Sequence, residues 1–345
     1  MSVRERLTPH TLEYEERIIN HGRDVNWSPY LMYFHPNRHE SPVVNTDAYG
    51  FRYSHRQGQK YSVGEHAGVE SARLLVGSST VFGIGASSDS WTLSSRLSEH
   101  DPRPAPWLNF GALAFNSAQE LLLLTLHRHL LPRIEEIVLF SGFNNLVLAR
   151  LPTDERLAHG AFFNCNRYFD MIQAAGAEPD GGLRGRVSRA VKQLASGTPA
   201  ETADKPSTQE QISRAADLTL RHLAGWRAFA NDFGARLTFV LQPLAVWVRK
   251  RGCQEEEELF AEFNQLGNFL EIYGDILTQE ACLDYAARLQ EGAQRLKVPF
   301  INFSPCMTQV TRPSEWLFVD RIHFTDYGHD VVAKTLLGML WRHRP

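Results

Sequence analysis

Three short stretches of this chain carry residue types that could perform acyl chemistry together. The first is Val76-Gly77-Ser78-Ser79-Thr80-Val81-Phe82-Gly83-Ile84-Gly85, a serine pair among small residues. A serine hydroxyl is a poor nucleophile until a neighbouring base takes its proton. The second, Asp320-Arg321-Ile322-His323-Phe324-Thr325, offers such a base. Its carboxylate lies three positions ahead of the imidazole, close enough on a turn to orient the ring and stabilise its cation. The third, Ser141-Gly142-Phe143-Asn144-Asn145, holds side-chain amides able to donate to a developing oxyanion. Each stretch also has a plainer reading: a Ser/Gly turn, a surface Asp beside a helix-flanking His, and a strand-end Gly-Asn turn. A phosphate loop is excluded for the first, which has no Lys and the wrong Gly spacing.

The elements around these stretches decide between the readings. Arg73–Gly77, Trp107–Phe110, Glu136–Phe140, Arg236–Leu241 and Val298–Phe303 are short, apolar and β-rich, as strands covered on both faces are. Between them the pattern turns helical. Ser117 to Leu131 has Ser117 as a plausible N-cap with Glu120 at N3. Gln209 to Phe233 is long and amphipathic, and Glu255–Ile272 and Gln279–Leu296 follow. The last helix runs from about Asp326 to Trp341 with Thr325 as N-cap. Alternating strands and helices imply a parallel sheet with helices on both sides. The three stretches then fall at strand ends or just before the final helix, where open α/β sheets place their sites.

In this order the stretches resemble the motif blocks of the SGNH (GDSL-like) hydrolases. Gly77-Ser78-Ser79-Thr80-Val81-Phe82-Gly83 is similar to the Gly-Gly-Ser-Thr-Thr-Phe-Gly variant of the first block, which assigns the nucleophile to Ser79. Gly142-Phe143-Asn144-Asn145 resembles the GxND block and assigns an oxyanion amide to Asn144; Asp320 and His323 match DxxH. Asn45-Thr46-Asp47-Ala48-Tyr49-Gly50-Phe51-Arg52 is similar to an element ending in Gly-Phe-Arg that precedes the first block in some members. The resemblance spans about residues 40 to 340. It implies a flavodoxin-like three-layer α/β/α fold with about five parallel strands. It also implies two-step acyl transfer, with oxyanion donors from the Ser79 and Ala114 backbone and the Asn144 amide. Two positions depart from the pattern. Asn109-Phe110-Gly111-Ala112-Leu113-Ala114 puts Ala114 where relatives have the oxyanion glycine, and Asn145 replaces the usual Asp. Alanine supplies the backbone donor without strain only where φ is negative.

The resemblance implies an esterase or deacylase acting on a small-molecule or carbohydrate ester. An acyltransferase or thioesterase using the same residues is the alternative, and a catalytically silent binding protein a third. No cofactor or metal is implied. The 345 residues carry 43% apolar and 22% charged residues with a net charge of −3, ordinary for a globular chain and unlike a nucleic-acid binder. No apolar run suggests a signal sequence or membrane span, and Cys165, Cys253, Cys282 and Cys306 are scattered without metal spacing, which favours free thiols and the cytoplasm. Residues 1–70 read as an irregular N-terminal extension packed on a hydrolase domain at 71–345. The stretch 151–208 interrupts that domain as a lid-like insertion, with a helical hairpin near 160–194 and a mobile stretch near 195–207. The aromatics Trp107, Phe162, Phe163, Tyr168, Trp247 and Trp316 could line an acyl or sugar site, although core roles suit most of them. Glu255-Glu256-Glu257-Glu258 reads as a solvated helix start. Oligomeric state is not legible.

Overall fold

The computed structural model describes residues 2–14, 28–151, 159–163, 206–266, 270 and 273–342. Strands β1 (Ser54–Arg56) and β2 (Gln59–Tyr61) form a small antiparallel hairpin. The remaining strands are β3 (Ser71–Gly77), β4 (Trp107–Gly111), β5 (Arg133–Ser141), β6 (Arg236–Leu241) and β7 (Phe300–Asn302). They form one five-stranded sheet in the order β4-β3-β5-β6-β7, parallel throughout. All five strands expected from the apolar runs are present, and the last is trimmed to three residues.

Strand alternation divides the core into two layers. Leu74, Val76, Leu108, Phe110, Ile137, Leu139, Phe239 and Leu241 face one layer. Helices α3 (Ser117–His127), α5 (Thr208–Phe233) and α7 (Gln279–Arg295) close it with Leu123, Ile212, Leu223, Trp226, Tyr285 and Leu289. Leu75, Trp107, Val138, Phe140, Val240 and Ile301 face the other. There the cover comes from α2 (Leu93–His100), α6 (Gln254–Leu266), α8 (Phe303–Val310) and α9 (Asp326–Arg342), through Leu97, Leu259, Met307, Val332 and Leu336. Each such side chain, withdrawn from water, is worth roughly 1.5–3 kcal/mol. Two faces buried at once explain why these strands read as unbroken apolar runs.

Three helices begin on side-chain caps, of which Thr325 was the expected one. Ser207 accepts from Glu210 N while Glu210 bonds back to Ser207 N at 2.9 Å, a reciprocal cap. Thr278 caps α7 through Ala281 N at 3.1 Å, and Thr325 Oγ1 accepts from Gly328 N at 3.0 Å at the start of α9. The expected cap of α3 is corrected by one residue. Asn116 accepts from Gln119 N at 2.9 Å and Gln119 returns to Asn116 N, so Ser117 is the first helical residue. That helix also yields to a tighter turn at Arg128–Leu130, short of the expected Leu131.

The acidic run is corrected too. It opens α6, but Glu256 is fully buried rather than solvated. Arg249 Nη2 reaches both its oxygens at 2.7 Å, and its Oε1 accepts from Leu317 N and Phe318 N at 2.8 and 3.0 Å. Residues 28–70 carry little regular structure beyond the hairpin. Asp47 organises them, accepting from Tyr49 N, Phe51 N, Ser62 Oγ and Gly64 N. Most of the insertion, with the expected hairpin, mobile stretch, Tyr168 and Cys165, lies outside the described residues. Cys253, Cys282 and Cys306 are free thiols. Among the described residues no helix is long and apolar enough to cross a membrane.

Candidate active site

Strand β3 delivers Ser79. The strand ends at Gly77, Ser78 turns the chain at φ −94° and ψ −147°, and Ser79 begins the single-turn helix α1 (Ser79–Phe82). The two serines, equivalent in sequence, separate here. Ser78 is buried, whereas Ser79 is part exposed with its hydroxyl 2.8 Å from His323 Nε2. Gly111 permits this turn to sit close to the end of β4, since a Cβ there would lie 2.2 Å from Phe82 N. Asn109 Nδ2 adds a bond to Val81 O at 2.9 Å.

His323 and Asp320 occupy the loop that leads into α9. His323 Nδ1 lies 2.7 Å from Asp320 Oδ2, and Asp320 Oδ1 accepts from Ile322 N and His323 N at 2.7 and 2.8 Å. An ionised carboxylate only accepts, so Nδ1 carries the proton and Nε2 is left to accept from Ser79. Burial pushes the Asp320 carboxyl up, but His323 and these hydrogen bonds outweigh it and hold the group below its ordinary pKa. The carboxylate therefore stays ionised and ready to stabilise an imidazolium. Glu256 holds this loop from behind through Leu317 and Phe318, a role that the charge run gave no hint of.

The other motif positions lie after β4 and β5. Gly142, at φ 109°, turns the chain out of β5 into α4 (Phe143–Leu148). Asn144 Nδ2 donates to Phe115 O at 2.7 Å, which uses one amide hydrogen and leaves the second. Phe115 adjoins Ala114, so this bond ties the two expected oxyanion positions together. Ala114 takes φ 55°, the left-handed value that strains alanine. Tyr33 Oη donates to Ala114 O at 3.2 Å and helps to hold it there.

Asn145 Oδ1 accepts from Ser117 N at 3.0 Å, and its Nδ2 donates to Ser117 Oγ and Thr219 Oγ1 at 2.5 and 2.7 Å. Beside it, Ser141 Oγ donates to Glu120 Oε1 at 2.6 Å. Glu120 is fully buried, and desolvation pushes its carboxyl up to about 7 even though the Ser141 bond works against this. Of the aromatics suggested as site lining, Trp107 and Trp247 are buried in the core, and Trp316 Nε1 donates to Phe318 O.

A support missed in the sequence is Arg52, the last residue of the Gly-Phe-Arg element. Its side chain is fully buried, and Nη1 donates to Phe82 O and Gly83 O at 3.1 and 3.0 Å. These are the carbonyls that close α1. Nε pairs with Asp89 at 2.7 Å, and Asn45 Nδ2 reaches the same carboxylate at 2.8 Å. Tyr14 Oη donates to Gly83 O and Ala86 O at 2.8 and 2.7 Å. Both ends of the Asn45–Arg52 motif thus converge beneath the turn that carries Ser79. The signal was present in the motif; its target was not.

Together the geometry offers a hydroxyl, an imidazole and a carboxylate in series, and the turn after β5 carries a side-chain amide with one hydrogen left over from its bond to Phe115 O. Such a series can pass a proton from the hydroxyl while charge develops on a bound carbonyl. No family model and no curated protein matches the chain. Among solved structures it is similar to a presumed acylhydrolase from Bacteroides fragilis NCTC 9343, at 12% identity over 80% of this chain and 89% of that one, TM-score 0.37. It is also similar to a lipase/acylhydrolase from Enterococcus faecalis, at 14% identity over 80% and 98%, TM-score 0.41. With a five-stranded parallel sheet in the flavodoxin-like order, helices on both faces and the three motif stretches at or beyond its strand ends, the chain has a three-layer α/β/α fold.

Proposed function

We propose that this protein is a serine-dependent esterase or deacylase that hydrolyses an ester of a small molecule or carbohydrate through an acyl-enzyme on Ser79. The observation that carries the reading is the continuous hydrogen-bonded series Ser79–His323–Asp320, with links of 2.8 and 2.7 Å. His323 Nε2 takes the Ser79 proton as Oγ attacks the ester carbonyl. Asp320 holds the ring in the required tautomer and stabilises its cation. The Ser79 and Ala114 N–H groups and the free Asn144 amide hydrogen stabilise the oxyanion. The imidazolium then protonates the leaving alkoxide, and water, deprotonated by the same ring, releases the acyl group as acid. No cofactor enters this scheme.

The test is hydrolysis of short-chain p-nitrophenyl esters. The wild-type protein is expected to turn them over, with Ser79→Ala and His323→Ala each lowering kcat by roughly 10⁴-fold or more. Asn144→Ala is expected to cost about 10²–10³-fold in kcat. Hydrolysis equal in the wild type and Ser79→Ala would refute the reading. Added alcohols or amines separate hydrolysis from acyl transfer, since a transferase would divert the acyl group from water.

A further inference from the structure

Beside the loops that carry Asn144 and Asn145 lies a narrow recess, partly open to solvent. Asn116, Asn145, His159, Arg214, Leu218 and His222 line it, with Ala149, Gly160 and Ala161 among its other walls. Arg214, Leu218 and His222 follow one another at intervals of four along α5, so they share one helix face.

The hydrogen bonds at its floor have a fixed direction. Asn145 Oδ1 accepts from Ser117 N, which makes Nδ2 the atom facing Ser117 Oγ. Ser117 is buried, and among the described residues His222 Nδ1 at 2.8 Å is the one acceptor within reach of its hydroxyl hydrogen, so the hydroxyl is assigned as donor to Nδ1. The proton of neutral His222 is therefore on Nε2, a donor without a protein partner among the described residues. Burial first, and then the charges of Arg221 and His159, lower the His222 pKa to about 4, so the ring is neutral near pH 7. Asn145 sets this direction. An aspartate there would accept the Ser117 proton, turn His222 Nδ1 into the donor and leave Nε2 an acceptor. It would also add a negative charge to the floor. Arg214 is half-buried and forms no ion pair among the described residues, not even with the exposed Asp217 one turn away.

We propose that this recess binds a compact anion, a carboxylate or phosphate group, through the Arg214 guanidinium and His222 Nε2–H, with His159 at the rim. The anion is either part of the ester substrate, which would deepen the esterase reading, or a separate small ion. The binding itself does not depend on Ser79.

The first experiment titrates inorganic phosphate into the full-length Ser79→Ala protein by calorimetry, with Arg214→Gln on the same background. Binding that weakens at least about tenfold in the Arg214→Gln protein is expected, because hydrogen bonds to charged groups are the strong ones. The second compares p-nitrophenyl acetate with p-nitrophenyl hemisuccinate on the active protein. A substrate-borne anion predicts a preference for the hemisuccinate that Arg214→Gln abolishes and phosphate suppresses, with acetate turnover unchanged. A separate ion predicts phosphate binding without that preference. His222→Phe, which keeps the ring shape but removes the donor, should weaken either behaviour. Absence of both effects, or phosphate binding indifferent to both substitutions, would overturn the proposal. Loss of ester turnover in the wild type with phosphate binding intact would overturn only the esterase reading.

Discussion

Ala114 sits at φ 55° in a position where glycine would be at ease. The left-handed conformation costs an L-residue with a Cβ roughly 1–2 kcal/mol. Ala114→Gly is therefore expected to raise stability by about 0.5–1 kcal/mol in urea unfolding, part of the relief being offset by the greater freedom of glycine in the unfolded chain. Ala114→Val should lower it, because a β-branched residue fits φ > 0 worst. Glu120 is the second informative residue. Its carboxyl has a pKa of about 7 in the fold against an ordinary 4.5. The folded state thus holds the proton over a pH range in which the unfolded chain releases it. Stability from this group is fully present below about pH 4.5 and declines as pH rises toward 7, by a total of about 3 kcal/mol. Glu120→Gln, which can still accept from Ser141, is expected to flatten that decline in unfolding curves collected from pH 4.5 to 8. An unchanged slope would mean that Glu120 titrates normally. The hydrogen-bonded series Ser79–His323–Asp320 was legible in the sequence, because each motif places a chemically distinctive side chain at the end of a regular element. The sign of φ at Ala114 was not, since it depends on how the loop from β4 meets α3.

The one-turn helix α1 is too short to hold itself, and neighbouring elements fix it. Arg52 caps its closing carbonyls, Asn109 binds Val81 O, and Tyr14 binds Gly83 O. Lysine cannot reproduce the multidirectional guanidinium contacts of Arg52 with Asp89, Phe82 O, Gly83 O and Val43 O. Arg52→Lys is expected to lower kcat for ester hydrolysis by about tenfold or more with KM nearly constant, and to cost about 3 kcal/mol of stability, the usual scale for breaking a buried ion pair. Kinetics on the folded fraction, set beside urea melts, read the two effects separately. A stability loss with kcat unchanged would make Arg52 a purely structural tie. The strands were legible because burial on both faces writes a continuous apolar run. The N-terminal element was legible only as a motif. Its fold depends on side-chain-to-backbone bonds from Asp47, Asp89 and Arg52, which leave no periodic trace. The acidic run misled for a related reason. One glutamate of four turns inward to meet Arg249, and nothing in the composition marks which one.

Across the whole molecule, the last helix closes the domain against α2. Asp330 on α9 binds Arg96 Nε at 2.8 Å, His100 Nε2 at 2.6 Å and Lys334 Nζ at 2.6 Å. Burial alone would raise its pKa, but these partners bring it down to about 2. A depressed carboxylate stabilises the fold above its ordinary pKa of 3.8 and loses that contribution as pH falls toward 2. Asp330→Asn is expected to cost about 2 kcal/mol at pH 7, with the gap to wild type closing between pH 4 and 2 in unfolding measurements. Because α9 follows directly from the His323 loop, the same clamp anchors one side of the site to the sheet. The parallel sheet supplies the other side by bringing the ends of β3, β4 and β5, at Gly77, Gly111 and Ser141, to one edge. The central claim is that Ser79 is an activated nucleophile. Its most direct test is treatment with a fluorophosphonate probe followed by mass-spectrometric mapping of the adduct. The account predicts a single adduct on Ser79, abolished in Ser79→Ala and strongly slowed in His323→Ala; a protein left unlabelled at Ser79 while a control serine hydrolase labels fully would contradict it.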